Sequence, residues 1–145
     1  MVLTYSYYGP RNYIDYALRD ISDAMQRSVE NGDPFQHNGQ KYPAMIVGCH
    51  KKDKDYWIID SARSPVNYPF VDELRNALTT LLGPIGTTSQ LCSNVIGQCA
   101  EPHAANEILL AENCLVDDLD FSFAMRPRTQ TFYPYCLNCK RVFNL

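Results

Sequence analysis

The sequence predicts a single α/β domain, and three observations carry this. Apolar residues recur at three- and four-residue steps over 11–30 and again over 70–82, the period of a helix buried on one face. Between them lie two short segments, 42–49 and 56–60, rich in β-branched and aromatic residues and separated by a polar turn. A third helical stretch, from Cys99 to about Asn113, follows a long irregular connection. At 145 residues, 46% hydrophobic and 20% charged, the chain is long enough for one domain, 1–145, with its own core.

Residues 1–10 read as an extended, tyrosine-rich arm closed by Gly9-Pro10. In the first helix Ile14, Ala17, Leu18, Ile21, Met25 and Val29 form the apolar stripe, and Asn31-Gly32 with Asp33-Pro34 stops it. His37–Gln40 reads as a turn. Tyr42–Cys49 is expected as a largely buried strand, 50–55 as a polar turn, and Tyr56–Asp60 as the antiparallel partner. The lysines of that turn read as a solvated loop, with a phosphate contact as the sharper alternative. Ser61–Tyr68 is a loop. In the second helix Phe70, Leu74, Leu78, Leu81 and Leu82 share a face, between Pro69 and Gly83-Pro84. Residues 83–98 form a connection of a length that often serves as a lid or a substrate contact. Pro102 is tolerated only in a first turn, so Cys99 and Glu101 sit at or just before the third helix's N-terminus. Asp117-Asp118 marks a turn, Phe121–Met125 alternates as a strand stopped by Arg126-Pro127-Arg128, and 129–131 is a loop. Cys136 and Cys139, three apart, face one side of a helical turn.

Composition removes several classes of function. A net charge of −3 announces no broad basic surface, although a local basic groove remains compatible with it. No apolar run approaches the roughly 20 residues of a membrane span, so no membrane partner is expected. Met1–Tyr5 lacks the basic and apolar regions of a secretory signal. Six cysteines permit three disulfides, but metal–thiolate chemistry fits three of them better and points to a reducing compartment. Cys49, Cys92 and Cys114 then read as small hydrophobes.

The chemistry concentrates in two stretches, Cys99-Ala100-Glu101-Pro102-His103 and Pro134-Tyr135-Cys136-Leu137-Asn138-Cys139. Three thiolates, Cys99, Cys136 and Cys139, can hold Zn²⁺ and leave a fourth position open, as a catalytic site requires. Zinc lowers the pKa of a bound water to about 7. Glu101 stands two residues from a ligand and is free to move protons beside the open position. A closed four-cysteine site using Cys92 or Cys114 is the structural alternative, and it gives Glu101 no role. Direct ligation by His103 would close the site, so a place on the pocket wall or hydrogen bonding beside the metal is the better reading. His37 and His50 read as exposed loop or strand-end residues.

The order of helix, hairpin, Cys-Ala-Glu helix, strand and Cys-x-x-Cys resembles the cytidine deaminase-like superfamily. The resemblance implies a three-layer fold, a small central mixed sheet flanked by helices, with zinc as cofactor between two helix N-termini. The motif match lies at 99–101 and 134–139, and the element match spans roughly 11–143. The Cys-Ala-Glu-Pro-His-Ala text and the Cys-Leu-Asn-Cys pair look most like the deaminase domains of bacterial polymorphic toxins, the YwqJ-like group among them. Two departures stand out. Tyr135 separates Pro134 from Cys136, where the family places proline next to cysteine. The late strands are absent or reduced to Arg141-Val142-Phe143.

The resemblance implies hydrolytic deamination of cytosine to uracil, with Glu101 catalytic and single-stranded nucleic acid as partner, DNA favoured over RNA. It also implies a cytoplasmic site of action and, for a domain of a secreted toxin, an immunity protein as partner. Ser61, Asn94 and Ala100 occupy places where the superfamily meets its substrate. Tyr133 and Tyr135 flank the second motif and are candidates for stacking on a base, with core or rim packing as the alternative. Arg126 and Arg128 read as phosphate contacts or as surface charges. Two rivals stay open: a free cytidine or nucleotide deaminase, and a non-catalytic binding module stabilised by zinc.

Overall fold

The computed structural model describes residues 4–32 and 42–145; the expected stop at Asp33-Pro34, the His37–Gln40 turn and His37 itself lie outside them. The described residues form an α/β domain with six strands and four α-helices: β1 (Tyr5–Tyr8), α1 (Ile14–Glu30), β2 (Ile46–Lys51), β3 (Tyr56–Ser61), α2 (Asp72–Leu81), α3 (Ala100–Ala111), β4 (Leu119–Phe121), β5 (Ala124–Arg126), β6 (Thr131–Tyr133) and α4 (Leu137–Phe143). Short 3₁₀ turns precede α1 and β4.

The strands run in the order β1-β3-β2-β5-β6, with β4 also paired to β2. Every described pairing is antiparallel, which corrects the expectation of a mixed sheet. The reason lies in the crossover. The chain leaves β3, passes through α2 and α3, and returns as β4 and β5 parallel to β3. It lands on the far side of β2, so the two parallel segments never touch.

Side-chain alternation along β2 and β3 divides the core in two. Ile46, Trp57 and Ile59 join Met125 and meet Ile14, Leu18 and Met25 of α1 on one face. Val47, Cys49 and Ile58 point the other way, into a core shared with α2, α3 and α4. Helices therefore cover both faces. The helix α3 carries no polar stripe over its first half: residues 100 to 106 are all buried. Asn106 accepts from the Val71 backbone N–H (2.7 Å) and so anchors the start of α2 to α3.

Two local expectations change and a third is narrowed. The strand expected at 121–125 is broken into β4 and β5. Cys49 pairs with Phe121 and Ile46 with Met125, so three steps along β2 face four along its partner, a bulge. Ser122 fills it, its N–H donating to the Gly48 carbonyl (2.9 Å) and its Oγ accepting from the Gly48 N–H (2.9 Å). β6, with its first residue Thr131 expected in the 129–131 loop and its other two assigned no element, closes a hairpin with β5 through Arg126↔Thr131 and Ala124↔Tyr133; three residues give too little alternation to be read. Of the two expectations for the late strands, absence or reduction to Arg141-Val142-Phe143, the first fits the described residues: no strand follows β6, and 141–143 is the end of α4. Cys139, Val142 and Phe143 all face the core, which is helical spacing.

Gly48 allows α1 to approach the sheet. A Cβ there would lie 3.0 Å from Ile14 and 3.2 Å from Trp57, both fully packed side chains. Gly48→Val is expected to lower the unfolding free energy by about 1–3 kcal/mol, as overpacked cores do. A urea midpoint shift at unchanged slope measures it.

Candidate metal centre and cavity

Two helix N-termini meet. Cys99 is the N-cap of α3, with Glu101 in its first turn. Cys136 is the N-cap of α4, where its Sγ accepts from the Cys139 backbone N–H (3.5 Å). The sulfurs of Cys99, Cys136 and Cys139 all lie within 4.8 Å of one another, and Cys99 Sγ stands 3.6 Å from Cys136 Sγ. Metal–sulfur bonds of about 2.3 Å in a tetrahedron set sulfurs about 3.8 Å apart, so the cluster can hold a metal ion with little movement. Among the described residues neither Cys92 nor Cys114 belongs to it. That leaves three sulfur ligands and one position for something else.

The electrostatics fit a site short of positive charge. The Cys136 thiol is pushed far down because Cys139, and then Cys99, hydrogen-bond to its thiolate. Those same bonds push Cys99 and Cys139 up, since each keeps its own proton to donate to the Cys136 thiolate. A bound dication would favour all three thiolates. Glu101 is only 4% exposed, and burial pushes its carboxyl up to about 7, a hydrogen bond with Cys139 opposing this and the Cys136 charge adding to it.

A cavity of about 440 Å³ opens over this cluster, lined by Cys99, Ala100, Glu101 and Cys136 on one side. Asn94 and Tyr133 line it as well, so the structure brings Asn94, Ala100, Tyr133, Glu101 and two of the cysteines to one space. Ser61 and Tyr135 lie outside that lining. Ser61 pairs with Ile46, so strand alternation turns its fully buried side chain to the α1 face, away from the thiols. Tyr135 uses its hydroxyl to donate to the Phe121 carbonyl (2.8 Å) and packs against Phe123, the packing reading of that residue.

His103 is buried; its Nε2 donates to the Arg63 carbonyl (3.1 Å) and its ring packs edge-on against Tyr68, outside the sulfur cluster. His50 sits at a strand end as expected, but it is buried, not exposed. Its ring stacks on Trp57 at 3.8 Å, and its nitrogens meet the Lys54 carbonyl (2.6 Å) and Asp120 (3.1 Å). Cys49 is buried in the core, while Cys92 and Cys114 are half-buried. The lysine-bearing turn 52–55 caps the far end of the β2–β3 hairpin. The cavity touches Met45 and Ala62 at its near end, six residues or roughly 20 Å away.

Sequence reasoning did not single out Ser93, Gln98 or Met45, which also line the cavity. The signal for the first two was the length of the 83–98 connection. Met45 reaches the cavity because its carbonyl accepts from the Ala62 N–H (3.0 Å), a contact between strand ends that no local pattern encodes. Arg126 lines the rim, its guanidinium 5.0 Å above the Tyr133 ring, whereas Arg128 is exposed outside the lining.

No protein-family model, curated protein or solved structure matches the chain.

The geometry predicts one thiophilic divalent ion per chain. Replacing Cys99, Cys136 or Cys139 by serine should remove it, while Cys92→Ser and Cys114→Ser should retain it. Metal analysis after dialysis, with cobalt-to-sulfur charge-transfer absorption as a second readout, distinguishes these outcomes. Chelation should also lower the melting temperature, because a ligand that binds only the folded state stabilises it.

Proposed function

We propose that this chain is a zinc-dependent deaminase that converts cytosine to uracil in nucleic acid, with single-stranded DNA as preferred substrate. The observation that carries this is Glu101, a buried carboxyl beside three metal-ready thiols, opening on a cavity of about 440 Å³. A structural site would close the fourth position with a protein ligand and has no use for the carboxyl.

Zinc on the three thiolates would supply a water that ionises near neutral pH. Glu101 would take a proton from water as the water oxygen adds to C4, and would deliver it to N3 of the ring. Glu101 next carries the second proton of the water to the amino group, which leaves as ammonia. Cytosine and one water thus become uracil and ammonia, and Glu101 ends as it began. Burial suits this role, since it keeps the carboxyl from resting as a solvated carboxylate and so favours proton uptake.

Support for a polynucleotide comes from the rim. Arg126 and Tyr133 form a stacked cation and ring beside Glu101, a pairing that suits a phosphate and an adjacent base. A single strand avoids the unstacking penalty that a duplex imposes. The rival substrate is free cytidine, favoured by the acidic net charge of −3. The toxin resemblance adds two proposals, an immunity protein as partner and the cytoplasm as site of action. Among the described residues no helix is long and apolar enough to cross a membrane.

Zinc-loaded protein is expected to form uracil in a cytosine-containing single-stranded oligodeoxynucleotide faster than in duplex DNA, RNA or free cytidine. Glu101→Ala should keep one zinc and lose about 10²–10⁴ in turnover, the usual contribution of general acid–base groups. Absence of turnover in every lane with zinc bound would overturn the reading. Arg126→Ala should raise KM for the oligonucleotide and leave free cytidine unchanged; equal losses on both would remove Arg126 from strand binding.

A further inference from the structure

The connection 83–98 reaches the cavity with its tip, and the tip is fastened to the turn that carries two of the thiols. The limbs of the connection hold to each other, Gly86 N–H to the Ile96 carbonyl (3.0 Å) and Ile96 N–H to the Thr87 carbonyl (2.8 Å). Beyond them, residues 89–94 take no part in regular structure. Asn138, between Cys136 and Cys139 and 3% exposed, uses both ends of its amide on this tip. Ser89 Oγ donates to Asn138 Oδ1 (2.5 Å), and Asn138 Nδ2 donates to the Asn94 carbonyl (3.2 Å). The Asn94 carbonyl can only accept, which fixes the orientation of the amide. Asn94 and its neighbour Ser93 in turn line the cavity beside Glu101.

We propose that Asn138 is a positioning residue that couples metal occupancy of the three thiols to the order of residues 89–94, of which Ser93 and Asn94 line the cavity. The physical step is short. A metal fixes Cys136 and Cys139 relative to Cys99, so Asn138, one of the two residues between them, acquires one position. Its amide then presents a donor and an acceptor to a segment that lacks a sheet or helix of its own. A buried amide with both ends satisfied holds such a segment firmly, because releasing it strands polar groups away from water. Coupling of this kind is reciprocal: a metal that orders the tip is itself bound more tightly by the ordered tip.

The inference shares with the proposed function only the metal at the thiols. Its primary test therefore contains no substrate. Amide hydrogen exchange is measured on peptides covering 87–96, in chelated and zinc-loaded protein, for the wild type, Asn138→Ala and Ser89→Ala. Zinc is expected to slow exchange of residues 89–94 in the wild type by about 5- to 150-fold, the ordinary range of coupling between sites. Both variants should still bind one zinc and lose that protection, with zinc affinity reduced. Ser89→Ala lies outside the metal turn, so it decides the matter where Asn138→Ala does not fold. Equal wild-type exchange with and without zinc, or protection that survives in Ser89→Ala, overturns the proposal. Should the deaminase assay succeed, the two variants are expected to raise KM more than they lower kcat, a split that a general loss of stability does not produce. Failure of that assay leaves the exchange result standing on its own.

Discussion

The site rests on the meeting of two helix starts. Three sulfurs within 4.8 Å of one another, one pair of them at 3.6 Å, are unfavourable as charges and lose their repulsion only by sharing protons or around a cation. The positive ends of α3 and α4 point at that cluster and supply part of the compensation. A shared core brings these two ends together. α3 is fixed by burial on nearly all sides, and α4 by Cys139, Val142 and Phe143 in the same core.

Charge and backbone bonds complete the alignment at the end of β3. Asp60 is fully buried and forms an ion pair with Arg63. The Arg63 N–H donates to the Gln98 carbonyl (3.1 Å), and its own carbonyl accepts from His103. The loop after β3 is thus tied to the residues on both sides of Cys99. A buried pair of this sort adds little net stability, but breaking one partner leaves an uncompensated charge, so it enforces one arrangement. His103, one turn into α3, belongs to this brace and not to the thiol cluster.

The edge of the cavity has a different origin. Its walls come from the ends of β2, β3, β5 and β6 and from the 83–98 connection. The bulge at Ser122 shifts the register of β5 by one residue, and β5 with β6 carries Arg126 and Tyr133 to the rim. The three thiols and Glu101 thus stand at helix starts, while the other walls of the cavity stand on strand ends and an irregular loop.

By itself the sequence determined the groups and their local frame. Cys99, Glu101, Cys136 and Cys139 were legible from spacing, and Pro102 located the helix start, because proline and helix periodicity act within a few residues. Helices α1, α2 and α3 were legible for the same reason. Tertiary structure decided what depends on distant strands. It made the sheet antiparallel by carrying the chain over β2, split the strand at Ser122, and turned Arg141–Phe143 into helix. It also separated candidates that looked equivalent: Asn94 and Tyr133 reached the cavity, while Ser61 and Tyr135 did not. Side-chain direction reverses with each residue of a strand, so only the register, set by partners remote in the chain, fixes which face a residue joins.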